Sequence, residues 1–134
     1  MMMRRDVLIA DDVPAAIGPY SLGIKSGDLV FVSGTLGIDP QRGALVAGGI
    51  EAETRQALTN LSGILKSGGT SLENVVKTTV FMQDMGEFAK MNAVYAEFFP
   101  NEPPARSTVE VAALPKGAAV EIEAVAVVGG LLGD

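Results

Sequence analysis

Pro104-Ala105-Arg106-Ser107-Thr108-Val109-Glu110-Val111, a turn at Leu114-Pro115-Lys116-Gly117, and then Val120-Glu121-Ile122-Glu123-Ala124 form the stretch on which the fold turns. The β-branched residues and period-two alternation predict two strands, and the Pro-Gly turn predicts that they pair as a hairpin. One arginine starts the first run. Two carboxylates alternate along the second, so Glu121 and Glu123 share a face. A guanidinium is a planar fork of donors that fits a carboxylate bidentately, and a nearby glutamate can orient water or carry protons. The same residues would serve equally as a surface cross-strand ion pair worth a fraction of a kcal/mol.

Upstream of this stretch, Asn74 to Met82 alternates and is β-branched, which predicts a strand. Asp84-Met85-Gly86-Glu87 has the form of a capping box ahead of a helix whose apolar face carries Phe88, Met91, Tyr95, Phe98 and Phe99, and which Pro100 ends. From Ile50 to Lys66, Ala57, Leu58, Leu61, Ile64 and Leu65 recur at helical spacing, with Gly68 and Gly69 as the stop. Leu29-Val30-Phe31-Val32-Ser33 leaves the Gly27-Asp28 turn as a strand that Gly34 ends, and Ile38 to Gly43 reads as a turn between extended pieces.

The order of elements is two strands, helix, strand, helix, then the hairpin. This gives an α+β domain with one mixed sheet, and two helices most simply cover one face of it. The other face is nearly as apolar, as in Val75-Val76 and Val125-Ala126-Val127-Val128, so a homo-oligomer with sheets turned inward is expected. Gly129 to Asp134 reads as a loose end, and the opening triple methionine carries no function.

With 134 residues, 48% of them hydrophobic, the chain fits a single domain able to bury a core. Lys+Arg of 10 against Asp+Glu of 16 gives a net charge of −6 without a basic run, so no nucleic-acid partner is expected. Cysteine and histidine are both absent, which excludes disulfides, thiol and Ser-His-Asp catalysis and the commonest zinc and iron ligands. No metal or other cofactor is expected. Arg4-Arg5 before Val7-Leu8-Ile9-Ala10 resembles the start of a signal peptide, but Asp11-Asp12 cuts the apolar run short; with no stretch of membrane-spanning length, the expected location is the cytoplasm.

Smaller features have two readings each. Gly18-Pro19-Tyr20-Ser21 is a turn with an exposed tyrosine, or a turn whose tyrosine has a functional role. Asn92, between Phe88 and Tyr95 on the apolar stripe of the second helix, is a core amide needing buried partners or a residue facing a shared cavity. Ser33-Gly34-Thr35 is a strand end where glycine lets the backbone approach a neighbour or a ligand.

Taken in order, Pro14-Ala15-Ala16-Ile17-Gly18-Pro19-Tyr20-Ser21, Val32-Ser33-Gly34, Val75 to Phe81, Pro104-Ala105-Arg106-Ser107 and Leu114-Pro115-Lys116-Gly117 through Ala124 closely resemble the RidA/YjgF family of enamine/imine deaminases, also described as endoribonuclease L-PSP. The likeness runs from about residue 10 to 128 of a single domain spanning 1–134. It implies a chorismate-mutase-like fold and a homotrimer whose sheets form a central barrel with sites between subunits. The implied reaction is cofactor-free hydrolysis of 2-imino acids such as 2-iminopropanoate, the tautomer of 2-aminoacrylate, to 2-keto acids and ammonia, which clears reactive metabolites. By motif position Arg106 is the carboxylate-binding arginine and Glu121 the water-positioning glutamate, with Tyr20, Ser33, Gly34, Asn92 and Thr108 at the other cleft positions. Thr108 stands where the family often has cysteine, and Leu22 and Thr35 where glutamine commonly follows the motif, which bears on substrate range. Two alternatives are a non-catalytic binder of small carboxylates and a holdase chaperone or ribonuclease.

Overall fold

The computed structural model describes residues 4–129; the triple methionine and the stretch 130–134, part of the expected loose end, lie outside the described residues. The chain forms β1 (Asp6–Val7), β2 (Gly23–Ser26), β3 (Leu29–Leu36), β4 (Ile38–Asp39), β5 (Ala44–Leu45), α1 (Gly49–Ser67), β6 (Val75–Met82), α2 (Phe88–Phe98), β7 (Ala105–Glu110) and β8 (Val120–Val127). Six strands make one mixed sheet in the order β1-β2-β3-β8-β6-β7, and β4 and β5 make a separate two-stranded ribbon around the predicted Asp39-Pro40 turn. Only β6 and β7 pair in parallel, because α2 carries the chain back across the sheet between them. The expectation of an α+β fold with a mixed sheet and two helices holds.

The expected hairpin does not form. β7 lies on the edge of the sheet beside β6, and β8 inserts between β3 and β6, so the two strands of the motif-bearing stretch are not neighbours. Leu114-Pro115-Lys116-Gly117 does turn, as a 3-10 turn with Lys116 at φ 60° and Gly117 at φ 69°, but it lies inside a longer connection that steps over a strand.

One sheet face is dry. Val120, Ile122, Ala124 and Ala126 of β8 and Val30 and Val32 of β3 are at most 4% exposed against Leu58, Leu61 and Leu65 of α1, which are wholly buried. Each such leucine contributes roughly 1.5–3 kcal/mol relative to exposure. α1 ends where Gly69 takes φ 80° and Thr70 and Gly69 donate to the Leu65 and Lys66 carbonyls, closing a Schellman motif. α2 packs beside α1 through Met91, Val94 and Tyr95, with a surface ion pair between Arg55 and Glu97. Asp84 accepts from the Gly86 N–H and so caps a 3-10 turn that precedes α2 rather than α2 itself.

The opposite face is apolar and open. Leu29 and Phe31 of β3, Val109 of β7 and Val7 of β1 are 37–52% exposed there. Among the described residues no helix is long and apolar enough to cross a membrane.

Candidate active site

Gly34 does not end β3. The register shifts between Val32 and Thr35, so Ser33 and Gly34 together oppose Glu123, and the strand continues to Leu36 as a β-bulge. The bulge turns backbone toward the neighbouring strand, and the Glu121 side chain lies directly against it: a Cβ on Gly34 would sit 2.7 Å from Glu121 Cδ and 2.9 Å from its Oε2. Only a residue without a side chain leaves room for the carboxyl.

Beside the bulge opens a cavity of about 450 Å³. Tyr20, Ser33, Gly34 and Glu121 all line it, and Glu123 joins them from the same face of β8, as strand alternation requires. The rest of the wall is largely apolar, with Ile17, Leu22, Leu36, Ile64 and Phe81. Ser33 Oγ donates to the Ser21 carbonyl at 2.6 Å, which commits its proton and leaves its lone pairs free. Tyr20 Oη accepts from the Ile17 N–H at 3.3 Å, which closes the preceding turn. Burial among these groups raises the pKa of Glu121, and the charge of Glu123 raises it further. Both effects disfavour the ionised form.

The other expected residues lie elsewhere. Thr78 on β6 pairs with Arg106 of β7, whereas Phe81, three residues on, pairs with Glu121 of β8. Three residues along a strand reverse the face, so Arg106 and Glu121 point to opposite sides of the sheet. They are also two strand spacings, about 10 Å, and three residues, about 10 Å, apart. Arg106 faces α2, its guanidinium 4.8 Å from the centre of the Tyr95 ring and 5.5 Å from that of Phe88. Among the described residues no carboxylate pairs with it.

Phe88, Asn92 and Tyr95 follow one another at helical spacing on α2, and Thr108 follows Arg106 two residues along the same face of β7. Asn92 Oδ1 and Thr108 Oγ1 are both buried without a hydrogen-bond partner. Phe88, expected on the apolar face of this helix, is 37% exposed beside the arginine. Tyr95 Oη shares a hydrogen bond of 2.8 Å with Thr78 Oγ1, and its pKa is raised mainly by burial.

The candidate residues therefore form two clusters: an acid cluster on the bulged side of β8, and a cationic cluster between β7 and α2. Sequence reading missed Phe81, Asn60 and Ile64 of the cavity wall and the two rings under Arg106. A polar Asn60 within the apolar spacing of α1 was a signal for the first group; nothing local signals the second. Among the described residues no cluster of three or more Asp and Glu side chains is placed to hold a metal ion.

Residues 10–128 match the family model described as Endoribonuclease L-PSP. A 2-iminobutanoate/2-iminopropanoate deaminase of Mus musculus is 48% identical over 125 residues, which cover 93% of either chain. A putative endoribonuclease of Thermotoga maritima superposes with a TM-score of 0.90 at 48% identity over 93% of this chain and 98% of its own. The YjgF gene product of E. coli does so at 0.87 and 42% identity over 91% and 98%. With the family model matching residues 10–128 and such relatives matching nearly the whole chain in sequence and in fold, this chain belongs to the RidA/YjgF family.

Proposed function

We propose that the protein hydrolyses 2-imino acids to 2-keto acids and ammonia, in a cleft where the acid cluster of one chain meets the cationic cluster of a second chain in a homotrimer. The observation that carries this reading is the placement of Glu121 and Arg106 on opposite faces of one sheet, each apt for one half of the reaction and neither able to reach the other within a chain. The apolar open face supplies a reason to associate, and inward-turned sheets are the arrangement that covers it. The names of the mammalian relatives support the chemistry.

In this reading Arg106 grips the substrate carboxylate with two parallel hydrogen bonds, while its stacking on Tyr95 and Phe88 fixes the plane of the fork. Glu121 holds a water against C2 of the imine. The water oxygen bonds to C2 as the C=N π pair moves to nitrogen, and Glu121 takes the water's proton. Glu121 returns that proton to nitrogen to give the carbinolamine, then takes the hydroxyl proton as the C=O bond forms and passes it to nitrogen as the C–N bond breaks. Water and imine thus become keto acid and ammonia with the carboxylate regenerated. A carboxyl whose pKa is raised toward the working pH is the better shuttle for both transfers. The Ser33 hydroxyl can only accept, so it suits the N–H of an imine.

The apolar wall takes the side chain of the imino acid. Cleavage of RNA, the activity in the family's description, suits a chain of net charge −6 poorly. The deciding experiment generates imino acids in situ with an amino-acid oxidase and follows keto-acid and ammonia release with and without the protein, beside light scattering at micromolar concentration. Acceleration by a trimer is expected. No acceleration, or a monomer, overturns the reading.

A further inference from the structure

Two buried polar side chains of α1 reach into the sheet and take no part in the chemistry above. Asn60 is 1% exposed, and its Nδ2 donates to the Leu36 carbonyl at 3.1 Å and the Ile38 carbonyl at 2.9 Å. Its Oδ1 accepts from Gln56 Nε2 at 2.9 Å, so every side of the amide is engaged. Glu53, two helical turns earlier and 8% exposed, accepts the Ala119 N–H on Oε1 at 2.8 Å.

These contacts bracket Glu121. Leu36 is its cross-strand partner on β3, and Ala119 precedes it by two residues, immediately before β8. Between Leu36 and Ile38, Gly37 passes so close to α1 that a Cβ there would lie 2.5 Å from the Glu53 carbonyl oxygen. The strands that frame the carboxyl are thus tied to one helix from both sides. Apolar contacts alone would bind α1 to the sheet, but they tolerate sliding by an ångström; buried hydrogen bonds at these distances do not, because breaking one leaves an unpaired polar group in the core. The bulge at Ser33-Gly34 is the point where β3 could slip relative to β8, and Asn60 grips β3 immediately after it.

We propose that Asn60 and Glu53 are positioning residues, which fix the Leu36-Gly37-Ile38 corner and the start of β8 so that the Glu121 carboxyl stays seated over Gly34. The kinetic part of this inference rests on the deaminase reading; the placement of the carboxyl does not.

The test compares Asn60→Ala, Glu53→Ala and Glu53→Gln in the full chain. It uses carbon-detected titration of the Glu121 carboxyl together with kcat and KM on an imino acid made in situ. Asn60→Ala and Glu53→Ala return the Glu121 midpoint toward that of an ordinary glutamate as water reaches it, and lower kcat roughly 10- to 100-fold with KM little changed. Glu53→Gln retains an oxygen for the Ala119 N–H and stays close to the unmodified protein in both. Should Asn60→Ala fail to fold, the two Glu53 variants decide. A folded Asn60→Ala with unmoved midpoint and kcat overturns the proposal, as does a Glu53→Gln variant as impaired as Glu53→Ala. A moved midpoint in a protein that never accelerates deamination upholds the positioning and sinks the deaminase reading instead.

Discussion

The acid cluster and the cationic cluster are built on opposite principles. Glu121 sits where four segments of one chain converge: the bulge of β3, the loop carrying Tyr20, the wall of α1 and the start of β8. Arg106 sits on an edge strand against two aromatic rings, near two buried polar atoms without partners. The first region is a finished pocket that lacks a cation; the second is a finished cation mount that lacks an anion. The difference teaches that acid and cation can be kept from neutralising each other by placing them on opposite faces of a sheet, so that in the proposed trimer they meet only through assembly. A direct Arg–Glu pair within one chain would have consumed the charge that the proposed reaction needs.

Replacing the arginine is the strongest way to break this comparison. Arg106→Ala is expected to lose about 2–5 kcal/mol of transition-state binding, or about 30- to 5,000-fold in kcat/KM. Arg106→Lys should fall nearly as far, since it keeps the charge but neither the fork nor the stacking. Steady-state kinetics of the Lys variant at the unmodified level would show that a point charge suffices.

Next comes Glu121→Gln, for which kcat should drop about 10²- to 10⁴-fold while KM stays nearly constant. Glu123→Gln should leave turnover largely intact; equal losses in the two variants, with trimers preserved, would assign the chemistry to the pair. Mixing sharpens the comparison further. Chains carrying Arg106→Ala and chains carrying Glu121→Gln, refolded together one to one, should recover about a quarter of full activity, because mixed trimers contain one site with both native clusters. No recovery from verified mixed trimers would place both clusters of a site in the same chain.

A smaller effect is expected from Gly34→Ala. The added methyl collides with the Glu121 carboxyl and must displace it, so kcat should fall about tenfold or more while circular dichroism shows the fold retained.

Smallest is a shift in melting temperature. Because the folded-state pKa of Glu121 is raised, its stabilising contribution is fully present below the ordinary carboxylate pKa of about 4.3 and is lost as pH rises through the folded value. At pH 7 the folded protein carries the cost of the charge, so Glu121→Gln should melt higher than the unmodified protein there and equally with it near pH 3. Calorimetry at both values checks the sign.

Much of this architecture was legible in the residues. Helical spacing from Ala57 to Leu65 and the glycines after Ser67 define α1 closely, and alternation alone puts Glu121 and Glu123 on one face. The hairpin failed for a definite reason: nearness in sequence favours pairing, but α2 between β6 and β7 forms a β-α-β unit, and that crossover claims β7 for the edge. Once strand order was misread, the face of Arg106 relative to Glu121 could not be deduced, since it depends on which strand lies between them. Gly34 misled in a similar way. A glycine in a strand signals either an end or a close approach, and only the carboxyl lying over it distinguishes the two.

Among the described residues β8 is the last strand in chain order and among the most central in the sheet. Until it emerges, β3 and β6 have no common neighbour, and Val30, Val80 and the core face of α1 have no floor to rest on. A growing chain therefore cannot complete its core strand by strand as it is synthesised; the sheet closes in one late, long-range step, with the slow, contact-order-limited kinetics such closure brings. The same step seats Glu121 over Gly34. Chains cut short before β8 lack both the strand that closes the core and the acid, which would couple the appearance of the proposed activity to completion of the fold.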